Sequence, residues 1–249
     1  MQVRRLFGTN GIRGVVNLDL TPEFVTKIAS AIGTFFEGKR IVVGYDGRTS
    51  SPMFLQATIS GLTSTACDVY EAGMAPTPAI QYAVKHYGMD GGIIITASHN
   101  PPEYNGIKVV ADDGIELPRE QEIEVENIFF NEKIKRMHWK EIGKIYQLPE
   151  VLNLYNKAIE NHVDVITIQR KRFHVVVDPG NGVGALTAPY MLRDLKCKVT
   201  TINANVDGTF PGRLSEPRPE NLGELALTVR AVGADVGVAY DGDADRAIF

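Results

Sequence analysis

The apolar positions of this chain fall into two kinds of run. Short β-branched runs bounded by glycine or polar turns read as buried strands over residues 40–46, 67–70, 93–95, 173–178, 197–202 and 233–240. Between them, apolar residues recur at helical spacing. This predicts helices over 22–36, from the turn at 47–52 to about 65, over 75–88, 118–130 and 149–162, from the glycine turn at 179–184 to about 195, and over 220–232. Thr21-Pro22 supplies an N-cap and a first-turn proline for the first helix. Asn105-Gly106 predicts a tight hairpin turn, with 107–110 as its second arm. Residues 131–148 are mixed, basic and irregular, contain the only tryptophan, Trp139, and mark a boundary between residues 1–148 and 149–249. Residues 203–220 form a long loop interrupted by Pro211, Pro217 and Pro219. Strands alternating with helices make this an α/β protein, with mainly parallel (mixed) sheets covered on both faces.

The two halves resemble each other. The strand 41–46 answers 175–178, each ending in aspartate, and Cys67-Asp-Val-Tyr answers Cys197-Lys-Val-Thr. Without gaps, Gly88, Asp90 and Gly92 align with Gly233, Asp235 and Gly237, which places Ser98 opposite Asp243. Two tandem three-layer α/β/α domains, each presenting chemistry at the same strand end, account for this self-similarity.

The net charge of −4 gives no argument for a nucleic-acid partner. The first eight residues carry no apolar core of signal-peptide length, and no run approaches the ~20 apolar residues of a membrane span. Cys67 and Cys197 are too few for a disulfide framework or a thiolate metal site and read as small core residues. A cytoplasmic address is the expectation.

Chemistry concentrates in two stretches. Gly91-Gly-Ile-Ile-Ile-Thr-Ala-Ser-His-Asn-Pro-Pro102 is an apolar strand that ends in a small, polar, proline-stopped turn. Ligands of open α/β sheets gather at carboxyl ends of strands, so Ser98, displayed beside His99 and Asn100 with Lys108 returning on the next strand, is a candidate nucleophile. Asp241-Gly-Asp-Ala-Asp-Arg246 empties from another strand, and a hard divalent cation resolves the repulsion among Asp241, Asp243 and Asp245. An EF-hand is disfavoured because its sixth position holds Arg246 and a strand precedes it. A metal-dependent phosphatase with Asp241 as nucleophile stays open, as does a non-catalytic calcium- or phosphate-binding module. There is no G-x-S-x-G elbow, and a serine facing a metal loop suits phosphoryl transfer. The loop 7–14 carries three glycines around Arg13 and allows close approach to a ligand. Gly180-Asn-Gly-Val-Gly184 lacks full dinucleotide spacing and reads as a turn, with phosphate binding a minor option; His86, His138, His162 and His174 read as structural.

The stretch Thr96–Lys108, the Asp241–Arg246 loop and Gly8-Thr-Asn-Gly-Ile-Arg-Gly14 together resemble the α-D-phosphohexomutases, above all the archaeal phosphomannomutase/phosphoglucomutase branch, along the whole chain and in order. The resemblance implies that Ser98 is carried as phosphoserine and exchanges its phosphoryl group with a hexose 1- or 6-phosphate through a bound hexose 1,6-bisphosphate. It implies Mg2+ on Asp241, Asp243 and Asp245 against that phosphoserine. Arg13, His99, Lys108 and Arg246 match family positions around the phosphoryl group, with Lys108 as general acid/base; beside them Asn100, read from the motif itself, can orient a polar ligand. A lysine base needs a lowered pKa. A glucosamine phosphate is the alternative substrate within the family. The departure is length: the chain resembles the first two of four domains. It is therefore expected to hold phosphate and Mg2+ but to turn over poorly alone, with association through an apolar surface left open.

Overall fold

The computed structural model describes residues 5–249; the first four residues, part of the leader expectation, lie outside that range. The first sheet contains β1 (Ile12–Val15), β2 (Arg40–Tyr45), β3 (Asp68–Met74), β4 (Gly91–Ile95), β5 (Tyr104–Val110) and β6 (Ile145–Gln147), in the order β1-β5-β4-β2-β3-β6. The β2 strand runs parallel to β3 and β4, and β6 parallel to β3, whereas β5 is antiparallel to β4 and β1. Alternate residues of the central strands go to opposite faces. Ile41, Val43, Ile93 and Ile95 join the core under α1 (Pro22–Phe35), α2 (Ser51–Thr63) and α4 (Arg119–Phe130). Val42, Ile94 and Val110 join the core under α3 (Thr77–His86) and α5 (Val151–Glu160). Both faces are buried, so these strands read as continuous apolar runs.

The second sheet repeats the plan with fewer strands: β7 (His174–Asp178), β8 (Lys198–Thr201), β9 (Val236–Tyr240) and β10 (Ala247–Ile248), in the order β10-β9-β7-β8. Val175, Val177 and Val238 pack under α6 (Val165–Lys171) and α7 (Ala188–Asp194), while Val176 and Ala239 face α8 (Gly223–Val232). Cys67 and Cys197 are buried in the two cores, as free thiols.

The internal repeat is physical. Gly88 and Gly233 are both left-handed, with φ of +59° and +61°. Two residues later, the carboxylates of Asp90 and Asp235 accept from the backbone N–H of Arg40 and His174, and their own N–H groups donate back to the carbonyls of the same residues. Each aspartate thus fixes where β4 or β9 starts against the neighbouring strand. Ile95 and Tyr240 then end their strands at equivalent places, and Ser98 and Asp243 follow at equal distance.

Three expectations need correction, and one helix adds to those expected. Asn105-Gly106 is no turn: both lie inside β5, and the reversal is made earlier, across 96–103, where Pro101 and Pro102 block strand pairing. Asn105 instead donates to the Ser50 and Ser51 hydroxyls while its Oδ1 accepts from Gly106 N–H. The irregular stretch 131–148 contributes β6 to the first sheet, an edge strand of three residues without alternation, its Tyr146 ring stacked on Tyr70 at 4.9 Å. The helix expected up to 195 is split into a 3-10 turn, Val183–Leu186, and α7, because Pro189 can sit only in a helix's first turn. The helix α6 carries no strong start signal beyond Asp164, whose carboxylate accepts from Thr167 N–H, and it was not foreseen. In addition, α5 packs on the first sheet, with Val151 buried among Val42, Ile80 and Ile94.

Candidate functional site

Where β4 ends, the chain is held by its own side chains. Thr96 Oγ1 donates to Asp46 Oδ2 (2.8 Å) and accepts from Ser98 N–H (2.8 Å). Ser98 takes the left-handed conformation, φ +51°, which costs a non-glycine residue about 1–3 kcal/mol and persists only where surroundings enforce it. Its Oγ donates to Asp241 Oδ2 at 2.8 Å and lies 3.3 Å from His99 Nδ1. The serine expected on display is 1% exposed. The acidic loop of the second domain covers it: a Cβ on Gly242 would lie 2.7 Å from Ser98 O, so only glycine allows this approach.

Asp241, Asp243 and Asp245 bring carboxylate oxygens within 4.8 Å of one another. Burial, followed by the charges of Asp243 and Asp245, pushes the Asp241 carboxyl up to about 8. Burial also acts to raise Asp243, but the Lys108 ammonium and the hydrogen bonds around it prevail and hold it below the ordinary range. Lys108 Nζ lies 3.2 Å from Asp243 Oδ2 and 2.9 Å from Asp245 Oδ2. Burial disfavours the Lys108 charge, yet the two carboxylates outweigh it and its pKa is raised, opposite to what a general base requires. Thr77, at the start of α3, donates its hydroxyl to Asp243 Oδ2 (2.7 Å) and its N–H to Asp243 O (2.9 Å). Among the described residues, the buried Asp243 Oδ1 has no partner. Three close carboxylates, one forced towards its protonated form and one with an orphaned oxygen, fit a hard divalent cation.

The remaining foreseen residues ring this centre. Arg13, on β1, donates from Nη1 to Asn100 Oδ1 (2.6 Å), and its buried Nε has no partner among the described residues. Arg246 gives its N–H to Asp241 Oδ1 (3.2 Å) and its guanidinium to Glu216 (3.4 Å). Burial and then the nearby Arg246 charge lower the His99 pKa, leaving a neutral imidazole at pH 7. Beside His99 and Asn100 opens a cavity of about 480 Å3, closed from the second domain by Phe210, Ser215 and Arg218. The glycine turn 180–184 serves the protein itself: Val183 N–H donates to Gly242 O (3.2 Å) and supports the acidic loop.

Sequence reasoning missed Arg48, Thr77 and Ser215. In the sequence Arg48 belongs to a polar turn, Thr77 to a helix start and Ser215 to a proline-broken loop. The available signal for Arg48 was Asp46-Gly-Arg48 directly after an apolar strand; Thr77 and Ser215 gave none, because their partners lie in the other half of the chain.

A family profile described as phosphoglucomutase/phosphomannomutase, alpha/beta/alpha domain I, matches residues 4–136, and its domain II counterpart matches residues 153–249. A phosphoglucomutase/phosphomannomutase of Thermococcus kodakarensis is 52% identical over 98% of this chain and 55% of its own length. A phosphoglucosamine/phosphogalactosamine mutase of Sulfurisphaera tokodaii is 49% identical over 98% of this chain and 54% of its own. The crystal structure of a phosphoglucomutase/phosphomannomutase family protein from Burkholderia thailandensis superposes with a TM-score of 0.81 at 30% identity, covering 97% of this chain and 53% of that one. The chain thus spans about half the length of the curated relatives it matches. Among the described residues no helix is long and apolar enough to cross a membrane. Two consecutive domain profiles in the expected order, over a fold whose two sheets bring a serine turn against an acidic loop, establish that the chain belongs to the phosphoglucomutase/phosphomannomutase family, the α-D-phosphohexomutases its motifs resemble.

Proposed function

We propose that this chain carries the phosphoryl-accepting and metal-holding part of a hexose phosphate mutase, divided near residue 148 into a serine domain and a metal-loop domain. The observation that carries this reading is the 2.8 Å hydrogen bond from Ser98 Oγ to Asp241 across the domain interface. Asp241, Asp243 and Asp245 would hold Mg2+, which when bound supplies positive charge to phosphoryl oxygens. Ser98 is carried as its phosphate ester. Its Oγ–P bond breaks as a hydroxyl oxygen of the hexose phosphate bonds to phosphorus, giving a hexose 1,6-bisphosphate. After the sugar reverses, Ser98 Oγ takes the other phosphoryl group and returns a hexose phosphate.

The residues around Ser98 suit these steps. Asp241, ionised once a cation balances the three carboxylates, accepts the serine hydroxyl through Oδ2 and can take its proton when Ser98 attacks. Arg13, through its free Nε, and the neutral His99 offer donors to phosphoryl oxygens. Lys108, whose charge Asp243 and Asp245 favour until the cation balances them, is suited to take the proton of the attacking sugar hydroxyl in the first step, the proton on Ser98 Oγ coming from Asp241, and to give it to the departing sugar oxygen in the second. The relatives' names span several sugars, so the reading stops at hexose phosphate; the glucosamine phosphate alternative is of the same kind.

The test uses the phosphorylated chain, freed of donor and given glucose 6-phosphate with Mg2+. The expected result is loss of protein phosphate matched by a hexose bisphosphate. Release of inorganic phosphate at a rate indifferent to sugar would instead make it a phosphatase.

A further inference from the structure

The Arg48 guanidinium is buried, at 1% exposure, and uses every donor it has. Nε donates to Asp46 Oδ2 (3.1 Å). Nη1 donates to the carbonyls of Pro101 (2.6 Å) and Tyr104 (2.9 Å), and Nη2 to those of Ser98 (2.8 Å) and Asn100 (2.6 Å). The fork therefore spans the turn that carries the serine, from the serine itself to the first residue of β5. Asp46 is saturated in turn, accepting from Arg48 N–H, Arg48 Nε, Ser51 Oγ and Thr96 Oγ1. Since Thr96 Oγ1 also receives Ser98 N–H, both the amide and the carbonyl of Ser98 are tied to one Asp46–Arg48 pair.

The second domain closes the arrangement from above. The Phe210 ring lies over the Arg48 guanidinium at 5.1 Å, and Ser215 Oγ lies within hydrogen-bond reach of the carbonyls of His99 (2.7 Å) and Asn100 (3.0 Å). The same device recurs at the metal loop. Asp178, which ends β7, pairs with the buried Arg213 at 2.7 Å, and Arg213 Nη2 donates to the carbonyl of Tyr240, the residue before the acidic loop (2.7 Å). Arg213 comes from the 203–220 loop and has no counterpart at the Arg48 position. Each domain therefore uses an aspartate at a strand end to orient a buried arginine: Arg48 grips carbonyls of the serine turn itself, Arg213 the Tyr240 carbonyl from which the acidic loop departs.

We propose that Arg48 is the positioning residue of the nucleophile: it holds the turn 98–104 in the strained form that aims Ser98 Oγ at Asp241. This rests on the phosphoryl-transfer reading above. Five carbonyl or carboxylate acceptors converge on one planar fork; an ammonium has three donors and no plane, so Arg48→Lys keeps the charge and loses the shape. Misplacing a reacting atom by about an ångström lowers rate by about a hundredfold without a matching loss of binding.

The experiment compares wild type, Arg48→Lys and Ser215→Ala as full 249-residue chains. Phosphorylation of Ser98 by glucose 1,6-bisphosphate with Mg2+ is followed by intact mass over a range of donor concentrations. Mg2+ affinity and hydrogen exchange of the 96–106 segment are measured on the same samples. The expected result for Arg48→Lys is a saturating rate lowered about a hundredfold, a half-saturating donor concentration and Mg2+ affinity near wild type, and faster exchange in 96–106. Ser215→Ala, which removes a single donor, is expected to lower the same rate by roughly tenfold, and it carries the decision if Arg48→Lys does not fold. Saturating rates within threefold of wild type in the folded variants, or a loss confined to donor affinity, would overturn the proposal. If wild type itself takes no phosphate, the phosphoryl-transfer reading fails. Positioning is then judged on exchange alone: unchanged protection of 96–106 in the folded variant overturns it, and selective loss there sustains it.

Discussion

At the scale of single residues, the strongest constraints come from atoms with no room to move. Gly242 packs against the backbone of Ser98, and a Cβ there would lie 2.7 Å from Ser98 O. Gly242→Ala is therefore expected to push the acidic loop off the serine turn, lowering stability by about 1–3 kcal/mol and slowing phosphorylation of Ser98 more than tenfold; urea unfolding and the phosphorylation rate check this, and an unchanged rate would contradict it. Glu126 anchors the other approach to the site. Its Oε1 accepts from the N–H groups of Leu6 and Phe7, at the base of the 7–14 loop that carries Arg13, and it pairs with Arg119 at 2.8 Å. Burial alone would raise its pKa, but the Arg119 and backbone donors lower it. The sign follows from that depression: the stabilisation is complete above the ordinary glutamate pKa and is lost as pH falls through the lowered one. Glu126→Gln is expected to be less stable by about 1–2 kcal/mol at pH 7, with the gap narrowing only at acidic pH. Urea midpoints for both chains between pH 7 and pH 3 test it, and a gap that widens on acidification would count against it.

At the scale of elements, chemistry is placed by where strands stop and helices begin. Both chemical loops leave carboxyl ends of parallel strands, β4 and β9, as the strand-end rule predicts. The start of α3 adds a contact that crosses the chain by 166 residues, Thr77 to Asp243. Outer partners of this kind orient a ligating carboxylate. Thr77→Val keeps shape and removes the donor, so Mg2+ affinity is expected to fall about tenfold by calorimetry while the helix content holds; unaltered Mg2+ affinity would remove Thr77 from the proposed metal site. This contact shows why part of the site was legible and part was not. Ser98, His99, Asp241 and Asp243 stand in short consecutive motifs whose chemistry is local. Thr77 and Ser215 act through partners brought close by folding, and a threonine before a proline or a serine in a loop gives no sign of that; Arg48 carries a local sign in Asp46, but the carbonyls it grips lie fifty or more residues away. The misread Asn105-Gly106 has the same origin. The pair has turn chemistry, but Pro101, Pro102 and the left-handed Ser98 had already turned the chain.

At the scale of the whole molecule, two copies of one architecture face each other, and the site exists only where they meet. The gapless alignment of Gly88, Asp90 and Gly92 with Gly233, Asp235 and Gly237 was readable because each residue does a local backbone task. What it could not show was that the two strand ends point at each other, burying Ser98 beneath Gly242. On the proposed reading, Ser98 and not Asp241 bears the phosphoryl group. The direct measurement is the intact mass of the chain after incubation with glucose 1,6-bisphosphate and Mg2+, beside Ser98→Ala and Asp241→Asn. One phosphate on the wild type, absent from Ser98→Ala, is the predicted result. A phosphate that survives Ser98→Ala and disappears in Asp241→Asn would contradict it.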